Sequence, residues 1–187
     1  MDGQTDAVKT GQRVIKNLLI DNRGNAGKQE ITTYQIDGQV TTMVNYQEIT
    51  NSSFDSSNNA TNQAISTFDE KGGMLLDVQV ISSNTFTTSG VAKNQTIATY
   101  SATSDNKRGE LIDVKVIDNM VVKPDGSVEE STITRFASLS GSTPSGAIDQ
   151  QYILTTSFDK YGNAKEQHIR RDYYEGDALL FSEAQKV

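Results

Sequence analysis

The chain has no cysteine, no tryptophan, one histidine and two prolines in 187 residues. Without thiols there is no disulfide framework, no thiolate metal site and no cysteine nucleophile. A single histidine, His168, excludes paired-histidine catalysis and multi-histidine metal centres. Two prolines exclude a Pro-rich linker. Long apolar runs are missing as well. No stretch approaches the ~18 residues of a membrane-spanning helix. MDGQTDAVKT has no apolar segment of the signal-peptide kind, which leaves the cellular address open. Basic charge is scarce: 17 Lys and Arg against 24 Asp and Glu give a net charge of -7. Nucleic acid is therefore not expected as a partner, because phosphate binding needs concentrated cations. Arg170 and Arg171 form the one Arg-Arg doublet, and it reads as a solvated strand end.

What the chain does contain is itself, several times over. The segment Phe158-Asp159-Lys160-Tyr161-Gly162-Asn163-Ala164 returns as Phe54-Asp55 to Ala60, Ile20-Asp21 to Ala26, Phe86-Thr87 to Ala92 and Val122-Lys123 to Val128. The fifth position is always Gly or Asn: Gly24, Asn58, Gly90, Gly126 and Gly162. After each copy an isoleucine stands in one column without exception, as Ile31, Ile65, Ile97, Ile133 and Ile169. Two residues before them come Gln29, Gln63, Gln95 and Gln167, with Ser131 as the exception. Two residues after come Thr33, Thr67 and Thr99, replaced by Arg135 and Arg171. Ahead of each copy lies a second isoleucine column, Ile15, Ile49, Ile81, Ile117 and Ile153. So many coincident columns define a tandem array.

Each unit reads as two strands and two turns. An apolar residue, Asp, two free positions and then Gly or Asn suit a type I turn followed by a left-handed residue. Asp21, Asp55 and Asp159 cap the turn, and the Gly or Asn accepts positive φ. The flanks alternate with period two and are rich in Thr, Val, Ile, Tyr and Phe, as in LDVQVISSNTF, which predicts strands. Only the last residues, ALLFSEAQKV, admit a helical period. The second connection takes up the length variation, with the longest loops expected around 101–110 and 137–147. The fold class is all-β: a tandem β-hairpin array of five units of about 32–36 residues. The units run 15–48, 49–80, 81–116, 117–152 and 153–187, after a tail or partial strand at 1–14. One hairpin is marginal alone, so the array forms one continuous structure.

Period two also sorts the faces. Gln, Ile and Thr share one face, while Leu76, Val78, Val80 and Phe86 line the other. Apolar columns on both faces predict a solenoid or a two-layered sheet stack, with both isoleucine columns in the structural core and Ile31, Ile65, Ile97, Ile133 and Ile169 almost fully buried. Each Ile of the first column is expected near the isoleucine of the next copy. The recurring Gln and Thr suggest amide ladders running along the array.

The residues that look chemical have plainer readings. His168 occupies a column held elsewhere by Glu30, Ala64, Thr96 and Thr132. Asp21-Asn22-Arg23-Gly24-Asn25 lacks the alternating ligands and distal Glu of a calcium loop. Asp77, Asp113 and Asp149, with Asn45, form a carboxylate column. A residue present in every copy serves the repeat, whereas glycoside hydrolysis needs one asymmetric pair.

The string aromatic-Asp-x-x-Gly-Asn, carried by Phe158 to Asn163 and more weakly by Phe54 to Asn59 and Ile20 to Asn25, resembles the YD repeats of bacterial Rhs proteins and teneurins. That resemblance implies tandem hairpins winding into a shell, with structural rather than catalytic repeats. The chain departs from it in its longer unit, its Gln and Ile columns, and in Thr87 and Lys123 at the Asp position.

These readings converge on a noncatalytic repeat scaffold with no cofactor and no metal. The expected setting is an extracellular or cell-surface stalk, adhesin or filament of a bacterium. Glu183, Gln185 and Val187 fall in the Asp, Gln and Ile columns, which suggests a stop in mid-unit and joining to further copies of the array or of the chain, head to tail. A glycan- or peptide-binding module using the exposed loops is the alternative, as is a shell segment of an Rhs-like protein.

Overall fold

The computed structural model describes residues 10–176 and 178–187. Eleven strands follow one another: β1 (Gly11–Ile20), β2 (Ala26–Asp37), β3 (Val40–Phe54), β4 (Ala60–Phe68), β5 (Leu75–Phe86), β6 (Ala92–Ala102), β7 (Arg108–Val122), β8 (Val128–Ser140), β9 (Thr143–Phe158), β10 (Ala164–Glu175) and β11 (Ala178–Lys186). Each pairs antiparallel with the next, so strand order in the sheet equals chain order, and the sheet stays open with β1 and β11 as its edges. The chain is an all-β hairpin-repeat array. Of the expected N-terminal tail, residues 1–9 lie outside the described residues.

The array is a single layer rather than a stack of two. Substantial packing is confined to strands adjacent in sequence. Burial therefore comes from side chains of neighbouring strands lying over one another. On one face, Tyr46 sits between Thr32 and Phe68, Val78 between Ser66 and Tyr100, and Val114 between Ala98 and Phe136. Those three central residues are buried, Val114 completely, together with Leu75 and Ala98 of the same rows. One aromatic per hairpin thus roofs a small aliphatic or aromatic neighbour. The core is a series of such clusters.

The opposite face carries the isoleucines, and here the expectation is corrected. Ile31, Ile65, Ile97, Ile133 and Ile169 are all half-buried, as are Ile49, Ile117 and Ile153. Ile81 alone among the nine reaches burial, at 8% exposure. With no second layer above them, they are covered only from the sides.

Two further expectations change. ALLFSEAQKV has no helix: it is strand β11, whose Gln185 and Glu183 stand opposite Ile169 and Arg171. Gln151 and Asp149 stand opposite Ile133 and Arg135 in the same way. The extra length at 137–147 is strand, not loop: β8 and β9 simply run on to a tight turn at Gly141 and Ser142. At 101–110 the irregular part shrinks to a turn at Thr103–Lys107, closed by Thr103 N–H to Lys107 O at 2.8 Å.

Candidate functional surface

The tight turns are built alike. Gly24, Asn58, Gly90, Gly126 and Gly162 each donate their N–H to the residue three before, at 2.9–3.3 Å. Their φ values are 87°, 68°, 80°, 91° and 85°, the left-handed conformation that closes this kind of hairpin. In three copies a carboxylate organises the loop. Asp55 Oδ1 accepts from Ser57 N–H at 2.9 Å and Asn59 N–H at 2.8 Å, and Oδ2 accepts from the Asn59 amide at 2.9 Å. Asp21 and Asp159 repeat the arrangement with Arg23 and Asn25, and with Tyr161 and Asn163. In the third copy Thr87 Oγ1 replaces the carboxylate, accepting from Val91 N–H at 3.1 Å. The turns also touch one another: Asn25 Nδ2 donates to Asn58 Oδ1 at 3.2 Å, and Arg23 donates to Asp55 O at 3.1 Å. Side by side, they form one polar end of the sheet.

Across the isoleucine face the columns resolve into rows that run perpendicular to the strands. The two isoleucine columns meet inside each hairpin: Ile15 with Ile31, Ile49 with Ile65, Ile81 with Ile97, Ile117 with Ile133, and Ile153 with Ile169. The next copy offers Gln47, Gln79, Lys115, Gln151 or Gln185 instead. The expected Ile-to-Ile stacking between copies is therefore replaced by stacking within each copy. One complete row reads Asn17–Gln29–Ile49–Ile65–Gln79–Thr99–Asp113. The next two read Asn51–Gln63–Ile81–Ile97–Lys115–Arg135–Asp149 and Ser83–Gln95–Ile117–Ile133–Gln151–Arg171–Glu183. Each row is offset from the last by one hairpin, so the isoleucine pairs descend the face obliquely.

The glutamines bond inside their own hairpins rather than in a ladder along the array. Gln29 donates to Asn17 at 2.7 Å, Gln63 to Asn51 at 2.7 Å, Gln95 to Ser83 at 3.1 Å and Gln167 to Thr155 at 3.1 Å. Each bond locks the register beside an isoleucine pair.

The carboxylate column is spread across the sheet. Asp77, Asp113 and Asp149 lie on alternate strands in three different rows, opposite Thr67, Thr99 and Arg135. Asp149 is buried and receives Arg135 at 2.5 Å. Around it the fourth and fifth units depart from the repeat. Lys115, Ile133, Arg135, Asp149, Gln151 and Arg171 line a shallow depression of about 140 Å³. Beside it, Arg171 and Glu183 border a second of about 250 Å³ with Ile169 and Gln185. Tyr173 donates to Glu183 at 2.7 Å and stacks on Phe181 with ring centres 4.4 Å apart. The Tyr173 hydroxyl beside Arg171 pushes that guanidinium's pKa further up. Arg135 thus pairs with Asp149, while the Tyr173 hydroxyl bridges Arg171 and Glu183. Among the described residues no three His, Asp or Glu side chains converge on a metal position. His168 is exposed, with Glu166 at 3.3 Å.

One column escaped the sequence reading. In each odd-numbered strand after β1 one residue drops out of register with the preceding strand: Val44, Leu76, Ile112, Ile148 and Leu180. Four of them are exposed, from 44% at Leu76 to 58% at Ile112. Leu76 thus leaves the apolar lining assigned to it. The signal was visible, since four of these aliphatics directly precede Asn45, Asp77, Asp113 and Asp149.

No protein-family model, curated protein or solved structure matches this chain.

Proposed function

We propose that the chain is a noncatalytic structural scaffold, a length of repeat array whose purpose is to hold distance and present its turns. The setting that suits it is a bacterial surface or secreted stalk, adhesin or filament. The observation that supports this reading is the row pattern. The residues fixed from copy to copy are those that pair strands, Ile on Ile and Gln on Asn, Ser or Thr. Repetition in the side chains that fix register is what a spacer needs, since each hairpin then stabilises the next by nearest-neighbour contact. The likeness of the tight turns to YD repeats points the same way.

Excision of one unit tests it. Deleting residues 81–116 joins Val80 to Ile117, so the halves of β5 and β7 become one hybrid strand in unbroken register. A scaffold stays folded and shortens by two strand spacings, about 10 Å, measured by small-angle scattering. A chain that unfolds on this deletion is not a modular spacer.

A second reading rests on the break in the repeat. Arg135, Arg171, Glu183 and the exposed Phe181 beside the two depressions make a polar surface with an aromatic wall, suited to a glycan. Binding on a polysaccharide panel that disappears with Phe181→Ala would favour it over the scaffold.

A further inference from the structure

We infer that strand β1 is a self-pairing edge, and that its partner is β1 of a second copy of this chain, related by a two-fold axis perpendicular to the sheet. The inference is independent of the scaffold reading, since it rests on the edge alone.

The interior of the sheet shows what covers a strand of this type. Ile49, Ile81, Ile117 and Ile153 each have a strand on both sides and are half-buried or buried. Ile15 is their counterpart in β1, which among the described residues has a strand on one side only, and it is 55% exposed. Val14, Leu18, Leu19 and Ile20 are exposed beside it. Ile36 N–H donates to Thr10 O at 3.0 Å, so the even-numbered residues of β1 hydrogen-bond toward β2. By antiparallel alternation, Arg13, Ile15 and Asn17 aim their N–H and C=O groups away from the sheet. From Gly11 to Leu18 the strand is unbroken in register, without the bulge that blunts many edges, and its two charges, Arg13 and Lys16, fall on opposite faces.

A second copy offers two edges. β1 and β11 run in the same direction, because ten antiparallel steps separate them. Head-to-tail translation would therefore set β11 parallel to β1, an exception in an otherwise antiparallel sheet. A perpendicular two-fold axis instead pairs β1 with β1 antiparallel and keeps both isoleucine faces on one side. β11 is the poorer edge, since its register breaks at Leu180. Centring the axis on Ile15 opposes Ile15 to Ile15, the pairing that all five hairpins use, and sets Arg13 against Asn17 of the second copy. Sliding the pairing by one step toward Leu18 would oppose Lys16 to Lys16, which like charges disfavour. The row through this axis would read Ile31–Ile15–Ile15–Ile31. The assembly is closed, an isologous dimer with an open β11 edge at each end.

The absence of cysteine makes the test direct. Sedimentation equilibrium of the full chain should give twice the 20.4 kDa chain mass. In the Ile15→Cys variant the two thiols would face each other at a Cα separation of about 5.5 Å, within disulfide range. Mild oxidation should convert it to a covalent dimer, while Ile112→Cys, exposed on an unpaired position far from the edge, stays monomeric. Ile15→Lys, placing like charges on the axis, should halve the mass with the β-sheet circular dichroism unchanged; should that variant misfold, the cysteine pair still decides. A native chain that is monomeric throughout, equal cross-linking of the two cysteine variants, or species growing beyond a dimer would each overturn the proposal.

Discussion

Ile81 and Ile97 stand directly opposite each other in the third hairpin, yet Ile81 is buried and Ile97 only half-buried. The difference lies in their outer neighbours. Ile81 is flanked by Gln63, whose amide is fixed by its bond to Asn51, whereas Ile97 is flanked by the exposed Lys115. In a single-layer sheet burial is decided by the side chain on the next strand rather than by a layer above.

That ordering sets the cost of truncation. Ile97→Ala removes a side chain already half in water and should cost about 1 kcal/mol. Val114→Ala removes two methyl groups from a position with no exposure, beneath Phe136, and should cost about 2 kcal/mol once the cavity is included. Urea titrations of the two variants decide the point. A larger loss at Ile97 would mean that the isoleucine face is covered after all.

The tight turns make a sharper expectation. Gly162 has a φ of 85°, and a Cβ there would lie 3.3 Å from Ser127 Oγ in the neighbouring turn. Gly162→Val should destabilise by roughly 1–2 kcal/mol, the cost of the left-handed region for an ordinary side chain. Gly162→Asn should be milder, because Asn58 holds the equivalent position at 68°. Thermal melts of both variants measure it, and equal losses would show that space, not φ, is the constraint.

How much of this was legible in the sequence follows from the range of each interaction. The turns at Gly24, Asn58, Gly90, Gly126 and Gly162 were readable because their chemistry is local: a carboxylate or hydroxyl, two free residues and a left-handed position. The strands and their two faces were readable from period two. Their closure was not. Val78 and Val80 on one face and Ile81 on the other suggest two cores. Whether a valine is covered by a second sheet or by Tyr100 on the next strand depends on register, and register depends on the bulges at Val44, Leu76, Ile112 and Ile148. Those bulges shift pairing by one residue without leaving a turn signature. For the same reason the partner of each isoleucine was misplaced by one strand. The depressions beside Arg135 and Arg171 were visible only as two exceptions in a Thr column, since their shape comes from three rows meeting.

The turn carboxylates give the fold a pH dependence with a definite sign. The Asn59 and Asn163 amides, then the backbone N–H groups of the same residues, hold Asp55 and Asp159 below the ordinary carboxylate value of 3.8. The Asn25 backbone N–H does the same for Asp21. A group whose pKa is lower folded than unfolded stabilises the fold above the unfolded value, and that contribution is lost as pH falls through the folded one. Stability should therefore be level near neutrality and decline once the pH drops below 3.8, as protonation removes the acceptors for Ser57, Asn59, Tyr161 and Asn163. Replacing Asp21, Asp55 and Asp159 together by Asn keeps an acceptor oxygen but removes the proton linkage. The triple variant should be less stable than the native chain at neutral pH, and its urea midpoint should fall less steeply through the acid range. The Thr87 turn is the internal control, since its hydroxyl makes the equivalent bond to Val91 without titrating: the amide proton of Val91 should keep its hydrogen-exchange protection at a pH where that of Asn59 has lost some. Parallel acid limbs for the native and triple-Asn chains would assign the acid sensitivity to other carboxylates, such as Glu30 beside Lys71 or Glu166 beside Lys186, whose pKa values are also held down by their lysine partners.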